Sequence, residues 1–266
     1  MKIYIPTQGR IQKQKTVERF GRDLCAEFDV TLVCPPDEVI ALRNEYPELT
    51  SRVKVVACKE QGIAATRQWI LQRARKNGEG VILMLDDDLS TWRQRGAVKP
   101  NGEWTYTKAT QLEIRDGLRR FADIMQNYAH GSIGHALFAQ TQPSLKYNSR
   151  MLRALAYNLD LLPKDIKFRL QVMEDFDIAL QLFTRGFDSV TTYDLVQDQH
   201  QNNSDGGCSL YRTGEVQAAA AHELARLWPD FVTVVTRAPK REWIGIGERT
   251  DVRVNWAKAA KAGAVK

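Results

Sequence analysis

Short apolar runs alternate with amphipathic stretches through the first 85 residues of the chain. The apolar runs are rich in Val, Ile and Leu, which is typical of strands buried on both faces of a parallel sheet. We predict strands at residues 2–5, 30–34, 53–57 and 81–85, and helices at residues 16–28, 37–46 and 62–75. Strands that alternate with helices imply right-handed crossovers, so the predicted fold class is α/β, with a mostly parallel sheet flanked by helices.

The pattern is less regular after residue 88. A hairpin of two strands is predicted at residues 92–107, with Asn101 and Gly102 in its turn. The remaining predictions are a helix at 110–128, a strand at 132–140, a partly helical segment at 149–161, a helix at 172–185, a strand at 189–196, a polar loop at 198–209 and a helix at 216–228. Since no internal repeat or low-complexity linker divides the chain, we predict a single domain over residues 1–266.

Composition narrows the classes of function. The chain has 266 residues, a hydrophobic fraction of 43% and a formal net charge of +6. It can therefore bury a core, and its charge favours an anionic partner such as nucleic acid, nucleotide or anionic lipid. The cysteines contain no CxxC pair, which argues against a zinc knuckle or a redox motif. No apolar segment approaches the roughly 20 residues that span a bilayer, and the first residues have a strand pattern instead of a signal peptide, so we expect a cytoplasmic protein.

Three consecutive acids follow the most apolar of the predicted strands. Asp86, Asp87 and Asp88 come directly after residues 81–85. Ligands of open α/β sheets bind beyond the carboxyl ends of the strands, where these acids emerge. In an extended chain Asp86 and Asp88 point the same way and Asp87 points the opposite way, so the first and third can share a Mg²⁺ or Mn²⁺ ion. The alternative is a solvated acidic loop, or the start of a helix at Leu89 and Ser90.

Three segments together resemble the family 2 glycosyltransferases of the GT-A fold. The first is IPTQGR at residues 5–10, and the second is the helix from Gly62 through Arg67, followed one strand later by the three acids. The third is EDFDIAL at residues 174–180, similar to the motif that begins the helix supplying the catalytic base. Gln68 stands where that family usually has Asn. The matches cover roughly residues 1–95 and 170–190, in the order of the family.

The resemblance implies a nucleotide-sugar donor, here a UDP-sugar, and a Mn²⁺ or Mg²⁺ ion that offsets the charge growing on the leaving diphosphate. Residues 1–95 would form the nucleotide-sugar-binding half, 96–210 the acceptor side, and 211–266 a helical and basic extension. Around the donor, the resemblance places Pro6, Thr7, Gly9, Arg10, Gly62, Arg67, Asp86 and Asp87. As metal ligands it implies Asp88, Asp86 and His200. Two alternatives stay open, in which Arg67 is an ion-pair partner of buried acids and His200 is an ordinary surface residue.

The catalytic base would come from the start of the helix at residues 172–185. An alcohol is a poor nucleophile without a base, and the resemblance implies Asp175, Glu174 or Asp177 for that role. The sequence does not choose among the three acids. It also leaves open that they are ordinary acids in the first turn of a helix, where the helix dipole stabilises negative charge.

Cations interleaved with tryptophans suggest the acceptor. One such group surrounds Trp92 and Trp104, and another, with Lys240, Arg241, Arg249, Arg253 and Lys258, surrounds Trp243 and Trp256. Lys and Arg neutralise phosphates, and indoles stack on unpaired bases, although the same residues are also found on solvated faces. The PT-x-GR opening and the Gly206-Gly207 loop are similar to the TET-associated glycosyltransferases, many of them phage-encoded. That resemblance implies an acceptor hydroxyl on a 5-hydroxymethylpyrimidine in DNA, flipped out of the duplex.

Other functions remain compatible with the sequence. A glycosyltransferase acting on a polysaccharide or a lipid-linked acceptor shares the same fold, and a non-catalytic DNA-binding protein could retain it. A nucleotidyltransferase also uses acids at strand ends, but usually carries a glycine-rich phosphate loop that residues 7–10 scarcely provide. The sequence argues against an ATPase, because the chain has no GxxxxGK[ST] loop.

Overall fold

The computed structural model describes residues 1–199, 206–238 and 248–264. Within these residues, ten strands form one sheet and two more form a separate hairpin. The strands are β1 (Lys2–Pro6), β2 (Thr31–Cys34), β3 (Lys54–Ala57), β4 (Val81–Leu85), β5 (Leu89–Val98), β6 (Trp104–Lys108), β7 (His130–His135), β8 (Leu145–Tyr147), β9 (Ala154–Asn158), β10 (Ser189–Gln199), β11 (Val232–Arg237) and β12 (Arg249–Val254). The helices are α1 (Lys15–Glu18), α2 (Arg22–Glu27), α3 (Glu38–Glu45), α4 (Pro47–Thr50), α5 (Ile63–Lys76), α6 (Gln111–Ile124), α7 (Glu174–Phe183), α8 (Gly214–Leu227) and α9 (Trp256–Ala264).

The large sheet has the strand order β3-β2-β1-β4-β9-β7-β10-β5-β6, and β8 pairs with β10 beside this path. The first four strands in that order are mutually parallel. Across the described part of the sheet, seven of the ten strands run in one direction, and β5, β8 and β9 run against them. The predicted α/β class with a mostly parallel, helix-flanked sheet is confirmed.

The central strand β4 shows why the sheet is covered on both faces. All five of its side chains are buried. Ile82 and Met84 belong to a core cluster that includes residues of α5, α7 and α8. Val81, Leu83 and Leu85 belong to a second cluster, with residues of α2 and α6. Full burial of one such side chain contributes roughly 1.5–3 kcal/mol. The apolar side chains of β4 therefore hold helices against both faces of the sheet, next to the acids that follow the strand.

Two predictions about the first half of the chain are corrected. Residues 16–28, predicted as one helix, form α1 and α2, which are separated at Gly21. Gly21 has an extended conformation, and its N–H donates to the side chain of Gln111, 2.7 Å away. Residues Leu89 and Ser90 begin β5, so the alternative of a helix start after the acids is wrong.

Two predictions about the second half are also corrected. The partly helical segment predicted at 149–161 contains β9, which lies between β4 and β7 in the middle of the sheet. Its five residues are all buried. The strand predicted at 132–140 ends at His135, where a 3-10 turn begins. The hairpin predicted at 92–107 is confirmed as β5 and β6.

The last described elements pack against helices α7 and α8. The β11–β12 hairpin contacts α8, and α9 contacts α7. The α7–α9 contact is very close, because a Cβ atom added to Gly263 would lie 2.0 Å from the carbonyl oxygen of Phe183. Every described helix is either too short or too polar to cross a lipid bilayer.

Candidate active site

A cleft of about 560 Å³ lies at the carboxyl edge of the parallel strands. The ends of β1 and β4 and the first residues of α5 and α7 line it. The predicted site residues that line this cleft are Pro6, Thr7, Arg10, Gly62, Arg67, Asp86, Asp87, Asp88, Glu174 and Asp175. The fold therefore brings together residues that are separated by as many as 169 positions in the sequence, counting from 6 to 175.

The three aspartates lie in a tight turn between β4 and β5, and Thr16 holds that turn. The Thr16 hydroxyl donates to the carbonyl of Asp86 at 2.6 Å and accepts from the N–H of Leu89 at 2.9 Å. The N–H of Thr16 also donates to the carbonyl of Asp87, 3.0 Å away. Because the chain turns here, the alternation predicted for an extended strand does not occur. Asp87 and Asp88 share Arg10 as a partner, and Asp86 pairs elsewhere.

Asp87 is tied to the first strand by hydrogen bonds. It accepts from the Thr7 hydroxyl at 2.7 Å and from the Arg10 guanidinium. Gln14 in turn donates to the Thr7 hydroxyl at 2.9 Å. Burial raises the pKa of Asp87 to about 7, although the positive charge of Arg10 acts in the opposite direction. Asp87 thus joins the ends of β1 and β4, which orders one wall of the cleft.

The Gly206-Gly207 pair closes over the turn that follows β1. The Arg10 guanidinium donates to the carbonyl of Gly206 at 3.3 Å, and the N–H of Gly207 donates to the carbonyl of Gln8 at 2.7 Å. Gly206 has φ of +90°, and a Cβ atom there would lie 2.6 Å from the carbonyl oxygen of Gly9. A glycine is required at 206 by both criteria. Gly9 itself is exposed outside the cleft lining, and its N–H donates to Glu38 at 2.8 Å.

Arg67 joins the donor side of the cleft to the start of α7. Its guanidinium donates to Asp86 at 2.8 Å and to Glu174. The side chain is only 5% exposed, which supports the ion-pair alternative for this residue. Burial by itself would lower the pKa of Arg67, but Glu174 and Asp86 raise it above its ordinary value. Burial raises the pKa of Glu174 to about 7, against the effect of Arg67.

The acids at the start of α7 have different environments. Asp175 lines the cleft, is 14% exposed, and lies 3.6 Å from the Arg150 guanidinium. Glu174 also lines the cleft, but Arg67 occupies one of its oxygens. Of the two, Asp175 is the more available to a substrate hydroxyl.

Asp177 does not reach the cleft, and its prediction as a candidate base is corrected. Its carboxylate is fully buried and accepts hydrogen bonds from Arg169 at 2.5 and 2.9 Å. It also accepts from Gln181 at 2.8 Å and from the indole N–H of Trp228 at 2.8 Å. These four residues, called the Asp177 cluster below, fix α8 against α7. Both carboxylate oxygens are used in packing, so neither is left for a substrate proton.

The donor atoms near the aspartate turn fit a divalent cation that is shared with a substrate. Asp88 lines the cleft, and its Oδ1 atom is buried without a hydrogen-bond partner. Asp86 contributes a second carboxylate, although Arg67 pairs with one of its oxygens. The described residues contain no group of three His, Cys, Asp or Glu side chains that could hold a metal by themselves. Mg²⁺ sites commonly combine one or two carboxylates with substrate phosphates and water, which this arrangement matches. His200, the third predicted ligand, lies outside the described residues.

Sequence analysis missed a set of charged residues on the wall opposite β1. Arg153 has φ of +64°, and its guanidinium lies 2.6 Å from His135 Nε2 and 3.7 Å from Asp198. His135 is itself 3.2 Å from Asp198. Burial lowers the pKa of His135, and Arg153 lowers it further, against the opposing effect of Asp198. Arg153 directly precedes β9, and a polar residue next to a strand could have indicated a site there. It was missed because β9 was not predicted as a strand.

Residues after position 210 also line the cleft. The Tyr211 hydroxyl accepts from the N–H of Ile63 at 3.0 Å, at the start of α5. Arg212 has a buried Nε atom without a hydrogen-bond partner, and Arg249 lies 2.8 Å from Asp251. All four of these residues from the extension line the cleft, together with Gln217. These residues lie far from the three motifs in the sequence, so no sequence pattern predicted that they line the cleft.

The parallel strands, the acids at their carboxyl edge and the acid-bearing start of α7 define a nucleotide-diphospho-sugar transferase fold of the GT-A class. A mannosyltransferase from Pyrobaculum calidifontis, solved in complex with GDP-Man and Mn²⁺, matches with a TM-score of 0.53 and 12% identity, over 85% of this chain and 64% of that one. The sequence profile of the TET-Associated Glycosyltransferase family matches residues 1–207, and the chain belongs to that family. The predicted resemblance to glycosyltransferases of the GT-A fold is thereby confirmed.

A second solved structure matches a similar share of this chain. TarS from S. aureus, in complex with UDP, matches with a TM-score of 0.48 and 15% identity, over 85% of this chain and 66% of that one. The chain thus spans about two thirds of the length of both solved structures. A search of curated proteins gave no match.

Proposed function

We propose that the protein transfers a sugar from a nucleoside-diphosphate sugar to the 5-hydroxymethyl oxygen of a modified pyrimidine in DNA, with help from Mn²⁺ or Mg²⁺. The proposal rests on the presence of two acids, Asp88 and Asp175, in the same cleft. Asp88 presents a buried carboxylate oxygen without a partner, and Asp175 is available at the start of α7. The two acids suit the two needs of glycosyl transfer, which are a stabilised leaving group and an activated nucleophile.

The donor would lie against the ends of β1, β2 and β4. Pro6, Val33 and Cys34 give this side of the cleft an apolar surface for a base, and Thr7 and Arg10 border it. The donor diphosphate would then reach the aspartate turn. A divalent cation held by Asp88 and Asp86 would supply positive charge to offset the charge that develops on the leaving diphosphate. We expect a UDP-sugar, although the cleft lining does not distinguish uracil from other bases.

Asp175 would take the proton of the acceptor hydroxyl. In an inverting displacement, the acceptor oxygen forms a bond to the anomeric carbon while the bond from that carbon to the diphosphate oxygen breaks. Asp175 is better suited to this role than Glu174, because Arg67 already binds the Glu174 carboxylate. Removal of a general base typically lowers the rate by about 10²–10⁴-fold.

Membership of the TET-Associated Glycosyltransferase family supports DNA as the acceptor, in line with the resemblance noted in the sequence. The net charge of +6 also favours a polyanion. An acceptor base must leave the helical stack to reach a cleft that is walled by α7 on one side and by β1 on the other.

The test combines a substrate panel with matched variants. The protein is incubated with Mn²⁺, a panel of nucleotide-sugars, and DNA that contains either 5-hydroxymethylpyrimidine or unmodified pyrimidine, and nucleoside masses are then measured. We expect a mass increase of one sugar on the hydroxymethylated nucleoside alone. Asp88→Asn should abolish transfer and leave DNA retention intact. Asp165→Asn, an exposed acid outside the cleft, is the matched control and should transfer at the parental rate.

The results also separate the alternatives. Transfer to an oligosaccharide or lipid-linked acceptor, with none to DNA, would replace the proposed acceptor. DNA retention without transfer from any donor would favour the non-catalytic binding protein. Full activity of Asp88→Asn would remove Asp88 from the proposed cation site.

A further inference from the structure

A second concave surface lies beside the cleft, between β8, the β11–β12 hairpin and the start of α9. It encloses about 620 Å³. Three cationic side chains line it, namely Lys146, Arg253 and Lys258, against the single acidic residue Asp230. We call this surface the basic groove. Arg253, Trp256 and Lys258 belong to the basic, tryptophan-bearing segment noted in the sequence, and none of the groove residues belongs to the predicted donor, metal or catalytic sites.

No carboxylate of the described residues neutralises the cations of the basic groove. Within the described residues, Lys146, Arg253 and Lys258 form no ion pair with a carboxylate. The Lys258 ammonium donates to the backbone carbonyl of Asp230 at 2.9 Å and lies 5.9 Å from the Phe231 ring, which positions its charge without cancelling it. Arg253 and Lys258 are exposed, and Lys146 is half-buried. By contrast, most exposed arginines on α6 and α8 have acidic partners, for example Arg119 with Glu27 and Arg226 with Glu223.

The surface between the cations suits a phosphodiester chain. Ser149, Thr233 and Asn255 line the groove and supply hydroxyl and amide groups. Phosphate oxygens in nucleic-acid complexes accept hydrogen bonds from Lys and Arg together with Ser, Thr and Asn. The groove is concave, and its lining sets polar side chains between Phe231, Val254 and Trp256, whereas a surface that binds a lipid bilayer usually projects its apolar side chains outward.

The basic groove is connected to the reaction centre through a row of side chains. Asp175 lies 3.6 Å from the Arg150 guanidinium. That guanidinium lies 4.0 Å above the Phe176 ring, and the Phe176 and Trp256 rings are 5.6 Å apart. Trp256 lines the groove, and Ser149, the neighbour of Arg150, does so as well. A strand whose target nucleotide lies at Asp175 would therefore meet the groove within a few side chains.

We infer that the basic groove binds the sugar-phosphate backbone of the acceptor DNA next to the target nucleotide. The inference rests on the proposed function, since it takes DNA as the acceptor. The groove would supply affinity that does not depend on sequence, while the cleft selects the hydroxymethylated base. The three cations would each neutralise one phosphate, and release of the counterions would make binding depend on salt.

The test compares two triple variants that remove the same charge. The first is Lys146→Gln, Arg253→Gln and Lys258→Gln, and the second is Arg43→Gln, Lys76→Gln and Lys108→Gln, which changes exposed cations outside both cavities. Affinity for a 5-hydroxymethylated oligonucleotide is measured at several salt concentrations. For the groove variant, we expect the slope of log affinity against log salt to fall by about 2–3, since each phosphate contact contributes about 0.7–0.9. The control variant should keep the parental slope. Unchanged melting temperatures verify that both variants are folded.

A second measurement separates this inference from the proposed function. Transfer to a 5-hydroxymethylated mononucleoside needs the cleft but not the groove, so the groove variant should keep the parental rate with that acceptor. With the oligonucleotide, its KM should rise at least tenfold while kcat changes little. If the parent protein transfers no sugar, the proposed function fails, but the salt slope still tests the groove.

Three results would overturn the inference. One is an equal loss of slope in both triple variants, which would indicate an effect of net charge alone. Another is an unchanged slope in the groove variant. The third is loss of binding to phosphatidylserine vesicles by the groove variant with its DNA affinity intact, which would assign the groove to a lipid surface.

Discussion

Two aspartates on helix α7 offer a direct test of how the structure divides chemistry from packing. Asp175 and Asp177 are two residues apart, carry the same side chain and lie in the first turn of the same helix. Asp175 lines the cleft, whereas Asp177 is buried among Arg169, Gln181 and Trp228 in the Asp177 cluster. The matched perturbations are Asp175→Ala and Asp177→Ala.

The expected stability losses differ in size. In Asp177→Ala, the Trp228 indole and the Gln181 amide each lose a buried acceptor, and Arg169 loses its ion pair. A buried donor left without an acceptor costs about 1–3 kcal/mol, and breaking a buried ion pair costs about 3–5 kcal/mol. Arg169 is 37% exposed and can be hydrated, so we expect a total of about 3–5 kcal/mol. In Asp175→Ala, the protein loses a weak pair with Arg150 and one favourable charge at the start of α7, which together amount to about 1 kcal/mol.

The assay measures thermal denaturation and sugar transfer on the same two proteins. We expect Asp177→Ala to melt about 10 °C lower than the parent and to transfer sugar normally well below that temperature. Asp175→Ala should melt within about 3 °C of the parent and lose at least about 100-fold in kcat. The reasoning is refuted if Asp177→Ala is as stable as the parent, or if it loses kcat while fully folded.

Two further predictions concern the wall of the cleft. Because burial raises the pKa of Glu174 to about 7, its stabilising contribution is present below about pH 4.5 and is lost as the pH rises through about 7. Urea denaturation should show the parent losing about 1–3 kcal/mol more than Glu174→Gln between pH 4.5 and pH 8, and the same pH dependence in both proteins would contradict this. In Thr16→Val, the carbonyl of Asp86 and the N–H of Leu89 lose their hydroxyl partner, so we expect a loss of about 2–4 kcal/mol together with loss of transfer. Thr16→Ser keeps the hydroxyl and should restore both properties; if Thr16→Val melts like the parent, Thr16 does not hold the turn.

The nucleotide-binding half could be predicted because its signals are local. The strands of the β3-β2-β1-β4 order are short and mostly apolar, and β1, β2 and β3 are each followed by a segment of helical period. Strand ends of a parallel sheet lie at one edge, so placing Asp86, Asp88 and Arg10 together required no long-range information. The orientation of the acids was predicted wrongly, because Thr16 stabilises a turn where an extended chain was assumed.

The second half was harder for physical reasons. Residues 154–158 are Ala, Leu, Ala, Tyr and Asn, of which Ala and Leu favour helices. They form the strand β9 because the sheet offers pairing with β4 on one side and β7 on the other. Asp177 was grouped with Asp175 by proximity in the sequence. Residues two positions apart on a helix point about 200° away from each other, so one faces the cleft and the other faces α8.

The close contact between α7 and α9 has a practical consequence for work with fragments. The family profile ends at residue 207, yet the Trp256 ring packs on both Phe176 and Phe183 of α7. A shortened protein cut at the family boundary would strip this cover from the helix that carries Asp175, and it would also lose Tyr211 from the start of α5. Expression trials that follow the motif-bearing region alone should therefore yield aggregates, while trials that retain the chain through α9 should yield material fit for crystallisation.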